Sequence, residues 1–226
     1  AIVGTAFDDV FNLNSGSTSV SGGAGNDVYI INGAWTGGIG ESAGGGFDEI
    51  RTNQLNVSMV SGVERLSYTG TGNFTGRGSA SDDIIAGGVG NDVLIGGAGA
   101  DTLIGGAGFD TASYEDANQG ISVTINLKTG VHTGLAAGDT FNGIEAFRGT
   151  AWGDSFVADA TATTFDGAGG YDTVSYATSD QAINLTLNGV NGTGLGGDAQ
   201  GDAFTSIDAI VGTAFDDVFN LNSGST

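Results

Sequence analysis

Acidic residues recur at a fixed spacing in the middle of the chain. Residues 78–113 form four successive nine-residue blocks: GSASDDIIA, GGVGNDVLI, GGAGADTLI and GGAGFDTAS. The sixth position of each block is an aspartate, whose carboxylate oxygens are hard ligands suited to Ca²⁺. Glycines at the first positions allow sharp turns that aim backbone carbonyls inward. Apolar residues at the eighth position (Ile85, Leu94, Leu103) predict short strands that point into a core. The blocks therefore predict calcium-binding turns joined by short strands.

The pattern GGxGxDxUx, in which U is a large apolar residue, resembles the repeat region of the RTX (repeats-in-toxin) family of secreted bacterial proteins. The resemblance implies a parallel β-roll in which two blocks make one coil and each Ca²⁺ lies between loops stacked on the same side. It implies that Asp83 shares an ion with Asp101, and Asp92 with Asp110. Loop carbonyls complete each site, and the glycines that we assign to these loops are Gly22, Gly87, Gly96 and Gly105.

Degenerate blocks spread the pattern over most of the chain. Residues 4–30 and 140–175 keep the nine-residue register, which pairs Asp9 with Asp27 and Asp154 with Asp172. The intervening blocks carry Thr18 and Thr163 at the sixth position. We therefore expect these coils to bind calcium on one side only.

Two further acids in the least legible segment, residues 31–77, are candidate ligands. AGGGFDEI resembles one block with Asp48 as its ligand, but the spacing does not identify a partner on the same side. Glu64 also falls at a sixth position, where it either joins the Asp83 stack or is a plain surface acid.

The composition indicates that these acidic residues are metal ligands. The 226 residues include 44 Gly, 21 Asp and only 5 Glu, with no Pro or Cys, and the formal net charge is −21. Two carboxylates about 4 Å apart repel by about 4 kcal/mol at an effective dielectric constant of about 20, so the chain should stay open until several Ca²⁺ ions bind. So acidic a chain is a poor partner for nucleic acid. A disulfide framework is excluded, and no run of 18 apolar residues predicts a transmembrane segment.

A longer repeat sets the organisation. Residues 1–18 recur unchanged at 209–226, which predicts one full tandem unit over 1–208 and the start of the next at 209–226. Inside the unit, 110–171 and 172–220 are duplicated modules, as expected of a stacked fold. Asp217 repeats Asp9, so we expect its calcium site to be half-built here and completed by the following unit.

The remaining segments predict strands and loops. ISVTINL (121–127) and INLTLN (183–188) alternate apolar and polar residues, as strands do. The Gly-rich stretches 129–139 and 189–202 predict surface loops, and helix signals are nearly absent. The fold class expected is all-β: an elongated parallel β-roll or β-solenoid with calcium-binding turns.

The residues favour no catalytic centre, so we expect no enzyme. The one histidine, His132, excludes a His-rich metal site. A GxSxG string at 40–44 lacks the following helix that a nucleophile elbow requires.

The expected function is structural. The resemblance and the long repeat predict a calcium-stabilised segment of a giant secreted adhesin or biofilm matrix fibre at the bacterial cell surface. Neighbouring identical units are the expected partners, and lateral self-association stays open. The alternatives are a surface-layer lattice protein, the secretion and folding appendage of an RTX toxin or exoenzyme, or an ice- or sugar-binding module. The family exports its members by a type I channel using a C-terminal signal, which is not evident here, so we expect a fragment.

Overall fold

The computed structural model describes residues 1–42, 44–115 and 120–222, and short β-strands dominate it. Most strand pairs are parallel, and within the described residues the only helix is one 3₁₀ turn, Gly197–Ala199. The all-β parallel roll predicted from the sequence is thereby confirmed. The chain forms two compact units, Ala1–Ala112 with Asp139–Ile144, and Ser113–Gly138 with Glu145–Thr226.

The first unit is built from short strands, which in the nonapeptide region begin every nine residues. In chain order they are β1 (Ile2–Val3), β2 (Val10–Asn12), β3 (Ser15–Gly16), β4 (Val20–Ser21), β5 (Val28–Ile31), β6 (Ala34–Trp35), β7 (Glu49–Thr52), β8 (Asn56–Ser58), β9 (Arg65–Tyr68), β10 (Thr75–Arg77), β11 (Ile84–Val89), β12 (Val93–Ile95), β13 (Thr102–Ala107), β14 (Thr111–Ser113, whose last residue belongs to the second unit) and β17 (Thr140–Asn142).

The strands of the first unit alternate between two faces of a roll. One parallel sheet has the order β17-β13-β11-β9-β7-β5-β2, and the opposite face carries the parallel order β14-β12-β10-β8. Two shorter parallel pairs, β1-β4 and β3-β6, lie near the N-terminal end of the sequence. This alternation is what two nonapeptides per coil require, because each block contributes one strand and one turn.

The second unit combines the same parallel coils with a hairpin. Its strands are β15 (Val123–Asn126), β16 (Thr133–Gly134), β18 (Ala146–Arg148), β19 (Ser155–Val157), β20 (Thr164–Asp166), β21 (Thr173–Ser175), β22 (Asn184–Asn188), β23 (Asn191–Leu195), β24 (Ala203–Thr205), β25 (Ala209–Val211) and β26 (Val218–Leu221). One sheet has the order β16-β15-β19-β21-β25, and the other β26-β22-β23-β24-β20-β18.

The register of the coils follows the sequence period. In the nonapeptide region Ile84 aligns with Thr102, and Val93 with Thr111, so each coil takes eighteen residues. The eighth-position side chains Ile85, Leu94 and Leu103 are fully buried. These apolar residues therefore form the core that the pattern predicts, and the turns between the strands are left at the edges.

The structure corrects two loop predictions in the second unit. Residues 133–134, within the predicted loop 129–139, form the strand β16, which pairs antiparallel with β15. Residues 191–195, predicted as part of a surface loop, form the strand β23, which pairs antiparallel with β22 over five residue pairs. Its glycines are needed for close packing, because a Cβ on Gly194 would lie 2.6 Å from the Ala199 carbonyl oxygen. A glycine-rich strand therefore escaped a search for β-branched residues.

Candidate metal centres

The turns on one side of the first unit place seven acidic residues above one another. Strand register aligns Asp27 with Asp48, and Glu64 with Asp83, in the position just before each strand. We call this stack the first acid column, and its members are Asp9, Asp27, Asp48, Glu64, Asp83, Asp101 and Asp139. The strands fix the backbone, so the repeat brings these carboxylates together whether or not they attract.

A directional hydrogen-bond ladder runs along this column. At most steps the backbone N–H of one acid donates to the carboxylate of the next coil: Asp9 to Asp27 (2.7 Å), Asp27 to Asp48 (2.8 Å), Asp83 to Asp101 (2.9 Å) and Asp101 to Asp139 (2.8 Å). Asp48 donates in the same way to Glu64 (2.8 Å). Asp27, Asp48 and Asp101 thus each use one oxygen to accept a backbone N–H, and their other oxygen remains for a ligand.

Asp92 and Asp110 stack on the opposite side of the same unit. The backbone N–H of Asp92 donates to Asp110 (2.8 Å), and that of Phe74 donates to Asp92 (2.8 Å). In the second unit the N–H of Asp154 donates to Asp172 (2.7 Å), and that of Asp172 donates to Asp208 (2.9 Å). In each of the four pairs predicted from the eighteen-residue spacing, the two aspartates therefore lie in adjacent stacked turns.

The turns carry a second ladder at the fifth position, one residue before the acids. Its bonds run the opposite way, from a later coil to an earlier side chain: Asn26 N–H to Asp8 (2.8 Å), Asn91 N–H to Asn73 (3.0 Å) and Ala100 N–H to Asp82 (2.8 Å). Side chains of Asp and Asn commonly bond backbone N–H groups in this manner. These bonds explain why many fifth positions are Asn or Asp although they are exposed.

The first glycine of each block is required by the acid of the same block. A Cβ added at Gly22, Gly87, Gly96 or Gly105 would lie 1.8–2.5 Å from the carboxylate oxygen of Asp27, Asp92, Asp101 or Asp110, respectively. The carboxylate is therefore folded back onto the turn that the glycine makes. This places it beside loop carbonyls, the other class of oxygen that calcium uses.

Several of the stacked carboxylates keep one buried oxygen without a hydrogen-bond partner. They are Oδ2 of Asp27, Asp48, Asp92 and Asp101, and Oδ1 of Asp83. Each of these residues is about 1 % exposed. An unsatisfied buried carboxylate is costly, whereas hard oxygens on glycine turns are what Ca²⁺ prefers. The donor set thus fits calcium, which would neutralise the repelling charges and satisfy these oxygens.

Burial and repulsion between carboxylates raise the pKa of Asp101, Asp48 and Asp172. The pKa of Asp101 rises to about 7, because of burial first and then the charges of Asp139, Asp83 and Asp82. Burial and the nearby carboxylates likewise raise the pKa of Asp48 and of Asp172 to about 6. Without a cation, the ionised column is therefore unfavourable in the folded state.

The carboxylates stack along columns, one from each coil. In the described part of the chain no three Asp, Glu, His or Cys side chains already converge on a common metal position. Each ion would therefore take its remaining ligands from backbone carbonyls, as the glycine turns allow.

Sequence inspection missed some members of these stacks. Asp139 follows Asp101 after 38 residues, since the chain visits the second unit in between. Its signal was the triplet Asp-Thr-Phe, which matches Asp-Thr-Leu at 101–103. Asp208, whose carboxylate accepts the N–H of Asp172, is likewise absent from the predicted pairs. Glu64, which the sequence left undecided, lies in the first acid column.

Comparison with known families decides what these turns are. A family model described as the RTX calcium-binding nonapeptide repeat matches residues 1–29 and 77–112, with four copies. These residues are RTX calcium-binding nonapeptide repeats. RTX repeats bind several Ca²⁺ ions per repeat region, and they are structural elements. The match includes the stacked Asp83–Asp101 and Asp92–Asp110 pairs and the turns around Asp9 and Asp27.

The comparisons go no further than the repeats. No curated protein matches the chain. RTX repeat proteins are typically secreted, and none of the helices in the described residues is long and apolar enough to cross a membrane.

Proposed function

We propose that the chain is one unit of a calcium-stabilised tandem array in a giant secreted bacterial protein, serving as an adhesin shaft or a biofilm matrix fibre at the cell surface. The RTX repeats supply the calcium-binding structural part of this proposal. The observation that carries the rest is that the two identical eighteen-residue segments make complementary halves of the contacts of one coil.

The first copy is covered by the coil that follows it in the sequence. Its strand β2 lies at the end of its sheet and pairs with β5, and Asp9 donates its N–H to Asp27. The Phe11 ring stacks on Tyr29 with 5.1 Å between ring centroids. Phe7 and Val10, in contrast, are 78 % and 61 % exposed. This copy therefore has a covered side and an open side.

The second copy, as far as residue 222, is covered by coils that precede it in the sequence. Its strand β26 lies at the end of its sheet and pairs with β22. The carboxylate of Asp217 accepts the N–H of Ile183 (3.0 Å), which is the bond that Asp9 lacks from an earlier coil. Phe219, the counterpart of Phe11, is 44 % exposed. Its open side is the one that is covered in the first copy.

The two halves are compatible because the turn itself is the same in both copies. The Thr5 N–H donates to Asp9 (2.6 Å), and the Thr213 N–H donates to Asp217 (2.7 Å). A coil with both sets of neighbours needs no change in its own backbone. This supports units that join by continuing one solenoid, with the counterpart of Asp27 in the next unit completing the site at Asp217.

Solution scattering of one-unit and two-unit proteins tests the proposal. The two-unit protein carries residues 1–208 followed by 1–226, and both proteins are measured in calcium. We expect the second unit to extend one straight rod, and the number of bound ions to exceed twice that of one unit because the junction site is completed. Two particles hinged at a variable angle would rule out the continuous shaft.

The alternatives give different results in the same experiment. A surface-layer protein needs specific lateral contacts, so it would form sheets or lattices in calcium, which electron microscopy detects. An appendage of a toxin or exoenzyme needs no unit-to-unit continuity. The RTX calcium-binding nonapeptide repeat is a structural element, which favours a structural role over an enzyme.

A further inference from the structure

One turn of the first unit departs from the nonapeptide pattern. Between Val28 and Glu49 the register is 21 residues instead of 18. A parallel bridge aligns Val20 with Ile39, so the residue two places further, Glu41, stands level with Gly22. An acid thus occupies the level at which the regular blocks have their first glycine.

The Glu41 side chain is held in place by two donors from the preceding coil. Its Oε1 accepts the backbone N–H of Gly22 at 2.6 Å and the hydroxyl group of Tyr29. Tyr29 is fully buried, so this hydroxyl group fixes the carboxylate at the edge of the core. A carboxylate placed in this way is a built feature of the turn.

The second oxygen of Glu41 has no such partner. Oε2 is buried without a hydrogen bond, as are Oδ2 of Asp27 and Oδ2 of Asp48, the two acids stacked at this turn. Among the charges that raise the pKa of Asp48, that of Glu41 is the largest, although burial contributes more. Three carboxylates therefore each bring one unsatisfied oxygen to one turn.

We propose that Glu41 is a metal ligand outside the nonapeptide pattern, and that it gives the turn of Asp27 and Asp48 a third carboxylate for a hard cation such as Ca²⁺. The three oxygens do not yet converge on one position, so the ion closes the site by drawing Oε2 towards the aspartate pair. Oε1 keeps its bonds to Gly22 and Tyr29. The inference deepens the proposed calcium-stabilised array and rests on it.

Higher negative charge makes this turn bind more tightly than its neighbours. Ca²⁺ affinity rises with the number of charged ligands, and trivalent lanthanide ions gain most from a third carboxylate. Tyr29 offers a local reporter, because a tyrosine next to a bound Tb³⁺ ion transfers excitation energy to it. Tyr171 and Trp152 lie beside Asp172 and Asp154 and also sensitise Tb³⁺, so the emission that a Tyr29→Phe variant loses identifies the part that comes from this site.

The test uses the full chain with the Glu41→Gln variant and Tb³⁺ as the probe. We expect the parent protein to give tyrosine-sensitised emission at the first equivalents of Tb³⁺. Glu41→Gln should lose this early emission and weaken one calcium site about tenfold or more in calorimetry. Glu115→Gln is the matched control, since Glu115 forms an ion pair with Arg148, and it should leave the Tb³⁺ signal unchanged. Tyr29→Phe should reduce the emission while the ion count stays the same.

Unchanged emission and calcium affinity in Glu41→Gln would overturn the inference. If Asp101→Ala still lowers calcium binding in that case, only the role of Glu41 has failed. If neither variant changes calcium binding, the calcium-stabilised array itself has failed. Circular dichroism in calcium checks that Glu41→Gln folds. Should it not fold, Glu41→Asp decides, because it keeps the charge but shortens the reach: selective loss of early emission supports the inference, and an unchanged signal overturns it.

Discussion

Two kinds of turn hold the sixth-position aspartate of a block in different ways. Asp101 follows a Gly-Gly turn (Gly96-Gly97), and its Oδ2 is buried without a hydrogen-bond partner. Asp154 follows a Gly-Thr turn (Gly149-Thr150), and its carboxylate accepts the Thr150 N–H at 2.6 Å and the Thr150 hydroxyl group at 3.1 Å. The side chain of one threonine therefore supplies a donor that the second glycine cannot.

The backbone explains why one residue makes this difference. Gly97 has φ +109°, a conformation that residues with a Cβ rarely adopt, whereas Thr150 has an ordinary negative φ. In the Gly-Gly turn one carboxylate oxygen of Asp101 has no hydrogen-bond donor and is left for a cation. In the Gly-Thr turn Thr150 donates hydrogen bonds to the carboxylate of Asp154. In the described residues the fully buried carboxylate oxygens without a hydrogen-bond partner all belong to the first unit. Calcium dependence should therefore be concentrated there.

Calcium removal should produce the largest effect. In excess chelator, the first unit loses the ions that offset its stacked carboxylates, so we expect residues 78–112 to lose protection and become largely disordered. Residues 145–176 should lose much less, because Thr150 satisfies Asp154. Hydrogen exchange read by mass spectrometry, with and without calcium, measures both segments. Equal loss of protection in the two segments would break the comparison, and an unchanged β signal in chelator would refute calcium-dependent folding.

A pair of aspartate variants tests the same contrast at single sites. Asp101→Ala should lower the calcium stoichiometry and weaken the remaining binding about 10- to 100-fold, because Asp101 stacks between Asp83 and Asp139. Asp166→Ala should matter far less, since Asp166 lies within a strand and contacts Arg148. Calorimetric titration with calcium compares them. Equal losses in the two variants would contradict a role for the column.

Much of the fold and of the acid stacks can be predicted from the sequence. The features that cannot be predicted escape for physical reasons. The eighteen-residue register, the buried apolar positions and the pairs at Asp83 and Asp92 follow from the strict period. The sequence does not show which acids stack next to Asp48, because the neighbouring coils take 21 and 16 residues. A fixed spacing of 18 residues does not predict these coil lengths. Glu41 lies within the GxSxG string, where no repeat pattern marks it as a ligand. Its position depends on the parallel bridge between Val20 and Ile39, which the sequence does not predict.

The second unit offers a pH test that is independent of the metal stacks. Burial raises the pKa of Asp202 to about 6, although its carboxylate accepts the Tyr176 hydroxyl group at 2.7 Å and the Thr163 N–H at 2.9 Å. The charges of Asp159 and Asp198 raise the pKa further.

Between its ordinary pKa of 3.8 and about 6, Asp202 keeps in the folded state a proton that the unfolded chain has released. Stability should therefore fall as the pH rises through this window, by at most about 3 kcal/mol. Asp202→Asn should abolish that part of the pH dependence. Urea unfolding at the two ends of the window, for the parent and the variant, gives the difference, and equal slopes would show that Asp202 does not titrate in this range.

The smallest effect is expected from converting one kind of turn into the other. Thr150→Gly removes the hydroxyl donor to Asp154 and should cost about 1–2 kcal/mol in chelator. If the vacated space admits a cation, calcium should restore part of the loss. Thr150→Ser keeps the hydroxyl group and should stay close to the parent. Thermal unfolding with and without calcium measures both variants, and a loss that calcium leaves untouched would show that a Gly-Gly turn alone does not make a site.

The complementary contacts of the two identical segments have a consequence for the evolution of the gene. An exchange between the two copies removes or adds 208 residues, and it always joins a coil to the neighbour that the coil already fits. Strand register, the carboxylate ladder and the stacking of Phe11 on Tyr29 are kept at the new joint. If the proposed array is correct, its length would change in whole units by recombination without creating a new kind of interface, and selection could adjust the reach of the protein while leaving its stability unchanged.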